Sequence, residues 1–202
     1  SSAASDVYKR QDANGPKRKK RQDLCLWAGT VVHSEEKEER IFMEIRKGTL
    51  KDLEAIAAVE AACFPAAEAA TAEEFAGRLQ QYGNHFWLLW EGERLLAFVD
   101  GFCTDWPDLT DEMYADASLH RENGAWQMIF GVNTIPACRR QGYAGQLLQQ
   151  AIADARAQGR KGLVLTCKEA LVHYYAKFGF VNEGVSGSTH GGVVWYQMRL
   201  RF

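Results

Sequence analysis

Residues 135–153, with the sequence IPACRRQGYAGQLLQQAIA, place a proline, two adjacent arginines and two glycines directly before an amphipathic helix. Glycine lets the backbone approach a ligand closely, and the first N–H groups of a helix have no partner inside it. Arg139 and Arg140 add positive charge at the same point. These residue types in this order predict an anion-binding site at the amino terminus of the helix.

Two nucleotide-binding loops are excluded as explanations of this anion site. A Walker A loop requires Gly-x-x-x-x-Gly-Lys-Ser/Thr, which the chain lacks, and a dinucleotide fingerprint requires Gly-x-Gly-x-x-Gly early in a parallel βαβ unit. The motif that does match is Arg-x-x-Gly-x-Ala, from Arg139 to Ala144, with Pro136 ahead of it. An ordinary glycine-capped helix start with surface arginines is the alternative interpretation.

The elements that must position this loop follow from the hydrophobic pattern. A mixed α/β (α+β) domain is expected, with a partly antiparallel central sheet flanked by helices. Residues 105–124 are long for a connection within a compact domain, so they are a candidate functional loop. Strands are predicted at about 43–47, 86–90, 95–104, 125–133, 162–167, 180–182 and 193–200, and helices at about 50–64, 72–82, 109–113, 143–158 and 169–178.

The loop, following a strand and opening a helix, resembles the GNAT superfamily of acyl-CoA-dependent N-acetyltransferases. Residues 164–180, VLTCKEALVHYYAKFGF, are similar to the carboxy-terminal region of its serotonin (arylalkylamine) N-acetyltransferase branch. The segments Leu-His-Arg at 119–121 and Cys-Phe-Pro at 63–65 are similar to that branch as well. The resemblance covers residues 43–202 and implies a GNAT-like acyl-CoA N-acyltransferase fold.

The resemblance implies acetyl-CoA as co-substrate and no metal. In the family the loop wraps the pyrophosphate of the cofactor, and the preceding strand pairs its backbone with the pantetheine arm and the acetyl carbonyl. Val132 and Thr134 are expected to make these main-chain contacts. The implied cofactor-binding residues are Val132, Asn133, Thr134, Arg139, Arg140, Gln141, Gly142, Tyr143, Ala144 and Gly145.

Two further side chains are candidates for the chemistry. Tyr175 matches the tyrosine that serves in the family as general acid toward the leaving thiolate, and a role as an aromatic core residue is the alternative. The branch carries a pair of histidines on the strand before the loop, whereas the strand here has no histidine and includes the apolar Met128 and Phe130. His120, in the long segment, is the candidate base, and a solvated loop histidine is the alternative.

The composition sets bounds on partners and location. The chain of 202 residues carries a net charge of −2, and from Met43 onward 15 Lys and Arg stand against 19 Asp and Glu. This balance predicts no nucleic-acid partner and suits a cationic amine. Five cysteines without a Cys-x-x-Cys pair predict reduced thiols in a cytoplasmic protein, and no apolar run is long enough to span a membrane. A monomer or a homodimer is expected.

Residues 1–42 form a leader that is expected to lie outside the domain and to be disordered. Residues 1–11, SSAASDVYKRQ, match the in-frame translation of a transposase sequencing adapter. Residues 37–40 can be encoded by a purine-rich ribosome-binding site at a suitable distance before Met43. The hypothesis is a bacterial protein that starts at Met43, with one domain over residues 43–202.

The expected function is direct transfer of an acetyl group from acetyl-CoA to a primary amine of a small molecule, arylalkylamine-like or other. Two alternatives stay open. The first is a non-catalytic acyl-CoA-binding or sensor domain that keeps the loop without the chemistry. The second is an acetyltransferase acting on protein amino groups, polyamines or aminoglycosides, because a shared fold leaves the acceptor pocket free to differ.

Overall fold

The computed structural model of the protein describes residues 42–66 and 69–202, so the predicted leader lies almost entirely outside the described residues. Within the described residues no helix combines the length and the apolar character that a membrane span needs. The strands are β1 (Met43–Lys47), β2 (Phe86–Glu91), β3 (Arg94–Thr104), β4 (Trp126–Thr134), β5 (Gly162–Cys167), β6 (Val181–Val185) and β7 (Tyr196–Arg201). The α-helices are α1 (Leu53–Cys63), α2 (Ala72–Tyr82), α3 (Glu112–Ala115), α4 (Tyr143–Ala157) and α5 (Val172–Ala176).

The seven strands form one sheet in the order β1-β2-β3-β4-β5-β7-β6. Only β4 and β5 pair in parallel among these neighbours, and the other pairs are antiparallel. The right-handed crossover typical of a parallel pair is supplied here by α4, which connects β4 to β5. The expectation of a mixed, partly antiparallel sheet flanked by helices is confirmed.

Helices cover both faces of the sheet because the strands are apolar on both sides. On one face, α1 and α2 pack Ile56, Val59, Phe75 and Leu79 against strand residues that include Phe98 and Met128. On the other face, α4 and α5 bury residues that include Leu147, Leu148 and Tyr175 against Val132, Leu165 and Met198. The two layers hold β4 and β5, with the candidate loop between them, at the centre of the domain.

Local signals in the sequence place the helices. Thr71 accepts a hydrogen bond from the N–H of Glu74 at 3.2 Å, and the Glu74 carboxylate accepts one from the N–H of Thr71 at 2.7 Å, so the predicted capping box opens α2. The short helix predicted at 109–113 lies at Glu112–Ala115 instead. The helix predicted at 169–178 is a 3-10 turn, Glu169–Leu171, that continues into the short α5.

Candidate active site

The central parallel pair of strands separates halfway along its length. The pairing of β4 with β5 runs from Trp126 with Gly162 to Ile129 with Leu165. On the opposite edge of β4, Gly131 pairs with Asp100 and Ile129 pairs with Gly101, so Phe130 is an extra residue in a β-bulge. Residues 130–134 of β4 and 166–167 of β5 thus border an opening, which we call the β4–β5 cleft.

The backbone of β4 turns polar groups toward this cleft. The N–H of Ile135, just after β4, donates to the Leu96 carbonyl in β3 at 2.9 Å. Because N–H groups alternate between the two edges of a strand, the N–H groups of Val132 and Thr134 point away from β3 and toward the cleft. These are the two residues for which main-chain contacts with the cofactor are predicted.

The chain leaves β4 into the predicted anion site. Pro136–Cys138 form a 3-10 turn, and Arg140 and Gly142 both adopt left-handed backbone conformations, with φ of 64° and 84°. Gly142 is the residue before α4, and the first amide bonded across this turn is that of Gln146, which donates to Gly142 O at 3.0 Å. The N–H groups of Tyr143, Ala144 and Gly145 therefore point out of the helix start, a geometry that suits an anion.

Helix α5 packs against the start of α4 and brings Tyr175 to this region. A side chain at Gly145 would lie 3.2 Å from Phe178 Cζ and 3.7 Å from the Tyr174 hydroxyl oxygen, so glycine permits the close approach. Tyr175 is fully buried, and its ring lies 5.2 Å from that of Tyr174 and 6.1 Å from that of Phe180. The structure therefore brings the helix of Tyr175 beside the predicted anion loop.

A chain of polar residues lies inside the apolar layer under α1 and α2. Glu60 on α1 is 3% exposed, and its carboxylate accepts hydrogen bonds from Asn133 Nδ2 at 2.9 Å and from the N–H of Ala70 at 3.1 Å. Asn133 is fully buried and stands on the part of β4 that borders the cleft. Burial raises the pKa of Glu60 from 4.5 to about 7.

The same polar layer continues across the cleft. Arg78 on α2 donates to the Asp100 carboxylate at 3.2 Å and to the Tyr114 carbonyl at 3.0 Å. The Tyr114 hydroxyl lies 3.2 Å from Thr166 Oγ1, at the end of β5. Glu60, Arg78, Asp100, Tyr114, Asn133 and Thr166 are together called the polar cluster.

The polar cluster carries two carboxylates and one guanidinium. Burial raises the pKa of Asp100, while the adjacent Arg78 opposes this shift. Arg78 is the partner of Asp100, and among the described residues the hydrogen-bond donors to Glu60 are neutral, the amide of Asn133 and the N–H of Ala70. A buried carboxylate with neutral partners is stabilised by either a proton or a cation.

His120 lies beside the half of β4 that pairs with β5. Its Nδ1 accepts a hydrogen bond from the N–H of Cys103 at 3.2 Å, and Cys103 pairs with Gln127 near the start of β4. Gln127 is three residues before Phe130, where the cleft begins, which corresponds to about 10 Å along a strand. The His120 ring lies 6.2 Å from the Phe102 ring, which in turn lies 4.9 Å from the Phe130 ring. Burial lowers the pKa of His120.

Among the described residues, His85, His120 and Glu122 place one potential metal-ligand atom each within 4.8 Å of one another. Because His120 Nδ1 accepts a hydrogen bond from the N–H of Cys103, the neutral ring carries its proton on Nε2. This Nε2 lies 3.1 Å from Glu122 Oε2. A protonated Nε2 has no lone pair for a metal. The geometry therefore fits a hydrogen-bonded pair of His120 with Glu122 better than a metal ligand set.

The family model described as acetyltransferase (GNAT) family matches residues 53–180. The match includes β4, the loop, α4, β5 and Tyr175, which are the parts that form the cleft. The chain belongs to this family. Its GNAT fold agrees with the fold class that the sequence resemblance implies.

Individual relatives agree with the family assignment. Serotonin N-acetyltransferase from Mesocricetus auratus is 31% identical over 110 residues, 54% of this chain and 52% of that protein. The chain thus spans about half the length of this curated relative. The loading GNATL domain of CurA from Lyngbya majuscula has a TM-score of 0.68 at 16% identity, covering 79% of this chain and 98% of that one. A GNAT family acetyltransferase from Brucella melitensis, solved in complex with acetyl-CoA, has a TM-score of 0.52 at 20% identity, covering 80% and 89%.

Of the polar cluster, only Asn133 is among the site residues predicted for this GNAT domain, and Glu60, Arg78, Asp100, Tyr114 and Thr166 are not. A signal for two of them was present in the sequence. Glu60 follows Ile56 and Val59 on the apolar face of α1, and Asp100 interrupts the apolar run of β3. A charged residue at a position that the periodicity assigns to the core is rarely buried unless it has a partner or a function.

Proposed function

We propose that the protein is an N-acetyltransferase that transfers the acetyl group of acetyl-CoA directly to a primary amine of a small molecule. The observation that carries the proposal is the placement of the left-handed Arg140–Gly142 loop at the end of β4, directly beside the cleft. Acetyl-CoA is chemically suited to both the loop and the cleft. Its pyrophosphate suits a helix amino terminus, and its pantetheine arm has amides that can pair with the free edge of β4. When bound, it supplies a thioester, which is an activated acyl group.

The residues of this chain divide the work of binding and orientation. The N–H groups at the start of α4, with Arg139 and Arg140, are proposed to hold the phosphates. The backbone of Val132 and Thr134 is proposed to align the pantetheine arm, which fixes the position of the thioester in the cleft. Such alignment lowers the barrier because the reacting atoms meet in a near-attack geometry.

Tyr175 is proposed to give a proton to the departing thiolate. The phenol is buried on the helix that packs against the start of α4. A phenol has a reference pKa of about 10, close enough to that of a thiol for efficient proton transfer. The acceptor is proposed to be a cationic amine, in keeping with the excess of acidic residues from Met43 onward and the buried carboxylates beside the cleft.

A thiol-release assay of the full chain with acetyl-CoA tests this function. The acceptor panel contains arylalkylamines, polyamines, aminoglycosides and peptides with a free amino terminus or lysine. Release that depends on one class identifies the acceptor. Tight CoA binding without release by any acceptor would favour the sensor alternative and contradict the proposed function.

Replacing Tyr175 by Phe is expected to lower turnover by at least about 10-fold, because the general acid is removed while the ring stays in the core. The dissociation constant for CoA, measured by calorimetry, is expected to stay within about 2-fold, since the phosphate loop is untouched. Tyr196→Phe on β7 is the matched control and should leave both values unchanged. Full activity of the Tyr175→Phe variant would remove Tyr175 from the mechanism.

A further inference from the structure

We propose that Glu60 is the general base that takes the proton from the acceptor ammonium in the β4–β5 cleft. This inference rests on the proposed function, and it assigns a proton acceptor to an enzyme whose β4 has no histidine. It is carried by the position of the carboxylate, by its hydrogen-bond partners and by the charge of its surroundings.

The position of Glu60 follows from α1. The helix packs on the cleft half of β4, with the Cys63 thiol 3.2 Å from the Thr134 carbonyl and the Glu60 carboxylate 2.9 Å from Asn133 Nδ2. Asn133 belongs to the stretch of β4 from residue 130 to residue 134 that no longer pairs with β5. Glu60 therefore lies one side chain away from the backbone that is proposed to align the thioester.

The partners of Glu60 leave it able to accept a proton. Its two hydrogen bonds within the described part of the chain come from neutral donors, one on each carboxylate oxygen, which has two lone pairs. Of the residues that the structure describes, the charged groups that face it are Asp100 on β3 and Arg78 on α2, which pair with each other. Since Asp100 and Arg78 neutralise each other, the positive charge of an ammonium would balance the negative charge of Glu60.

The proton affinity agrees with this role. The pKa of Glu60 is raised to about 7, chiefly by burial. A base with a pKa near the working pH is present in its ionised form and still accepts a proton effectively. An alkylammonium must lose a proton before its nitrogen can attack, and water at pH 7 is a poorer acceptor than a carboxylate held beside the cleft.

Two side chains, Glu60 and Tyr175, account for every proton that moves in the reaction. The ammonium gives one proton to the Glu60 carboxylate, and the nitrogen–carbon bond forms as the carbon–sulfur bond breaks. The leaving thiolate takes the proton of the Tyr175 hydroxyl, and the second proton of the nitrogen returns to the Tyr175 oxygen. Glu60 then releases its proton to solvent, so the products are the amide, CoA thiol and one proton.

The test compares Glu60→Gln with the wild-type full chain in the thiol-release assay between pH 6 and pH 9. Glutamine keeps the volume and the bond from Ala70, and its amide can pair with Asn133 after a flip of that side chain. We expect kcat/KM at pH 7 to fall by about 100-fold, and the limb of the pH profile near pH 7 to disappear. Glu54→Gln, an exposed position on the same helix, is the matched control and should behave as wild type.

A second acceptor separates a base from a structural role. With an O-alkyl hydroxylamine analogue of the active amine, whose nitrogen is already neutral at pH 7, the loss in Glu60→Gln should shrink to a few-fold. An equal loss with both acceptors would overturn the role as a base, as would an unchanged pH profile in an active Glu60→Gln variant. Thermal unfolding and CoA affinity of each variant verify that the fold is retained.

The titration of Glu60 can be measured without turnover. In protein labelled with carbon-13 glutamate, infrared spectroscopy should show a protonated carboxyl band that is lost near pH 7 in the wild type and is missing in Glu60→Gln. A band lost below pH 5 would overturn the proposal even if the enzyme is active. Absence of thiol release by the wild type with every amine would instead overturn the proposed function, and the role of Glu60 with it.

Discussion

Gly131 shows how one residue shapes the site. It follows the extra residue Phe130 in the bulge of β4 and pairs with Asp100. A Cβ at this position would overlap Asp100 Oδ1 and lie 3.1 Å from Asn133 Nδ2. Glycine therefore leaves room over the strand for these two polar side chains, which are fully or almost fully buried.

Substitution of Gly131 by Ala is expected to lower the free energy of unfolding by about 2 kcal/mol, because the added methyl overpacks a buried polar site. Chemical denaturation measures this change. Gly77→Ala is the control, since Gly77 is inside α2 with nothing within 4 Å of an added Cβ. That variant should be more stable by about 0.5–1 kcal/mol, because alanine is the better helix former. Equal stability of both variants would contradict the packing argument.

At the level of elements, the junction of β4 and α4 combines a strand edge with a helix start. The loop reverses direction through two left-handed residues, Arg140 and Gly142. A non-glycine residue in this conformation is uncommon, and it persists where the surrounding structure holds it. The turn joins the end of β4, where it no longer pairs with β5, to the start of α4, so the predicted anion site follows the cleft directly along the chain.

Gly142→Ala tests the loop as an element. Alanine in the left-handed region costs about 1 kcal/mol, so the loop of the variant relaxes in the free protein. CoA binding must then restore the left-handed conformation, which weakens binding by about the same free energy. We expect the dissociation constant for CoA to rise by about 5-fold. Gly92→Ala in the β2–β3 hairpin also has a positive φ, of 57°, and should lose similar stability while binding CoA normally. Unchanged CoA affinity in Gly142→Ala would argue against this loop as the phosphate site.

At the level of the whole molecule, buried carboxyl and imidazole groups make the free energy of unfolding change with pH in opposite directions. Burial raises the pKa of Glu60 to about 7 and lowers the pKa values of His85 and His120. A raised folded pKa means that the stability from protonated Glu60 is complete below pH 4.5 and is lost as the pH rises through 7. For the histidines, stability is present above their unfolded pKa of 6.5 and is lost at lower pH.

The expected result is a melting temperature that decreases for the wild type between pH 5 and pH 8 relative to Glu60→Gln. The difference in the free energy of unfolding across this window should be about 2–3 kcal/mol, because the window covers most of the pKa shift from 4.5 to about 7. Calorimetry of both proteins over this range measures it. Parallel curves for the two proteins would show that Glu60 has an ordinary pKa in the folded state.

Local patterns account for the part of the site that the sequence predicts. The loop at 139–145 is contiguous, and its glycine, arginines and helix start are each local signals, so the sequence predicts its position between β4 and α4 correctly, and its role as a phosphate site stays a prediction. The capping box of Thr71 with Glu74 and the alternation of helices and strands were readable for the same reason. Tyr175 was predicted from a contiguous stretch that resembles the family, and its role as general acid stays a prediction.

The amino-acid sequence by itself determined the fold class and the family of this protein and predicted its anion loop, because periodicity and short motifs depend only on neighbours along the chain. Only the tertiary structure decided that Glu60 lies beside Asn133, that Arg78 joins Asp100 to Tyr114, and that His120 lies beside the half of β4 that pairs with β5. These contacts join residues far apart in sequence. They depend on the register of the strands and on a single bulge, which local patterns do not specify.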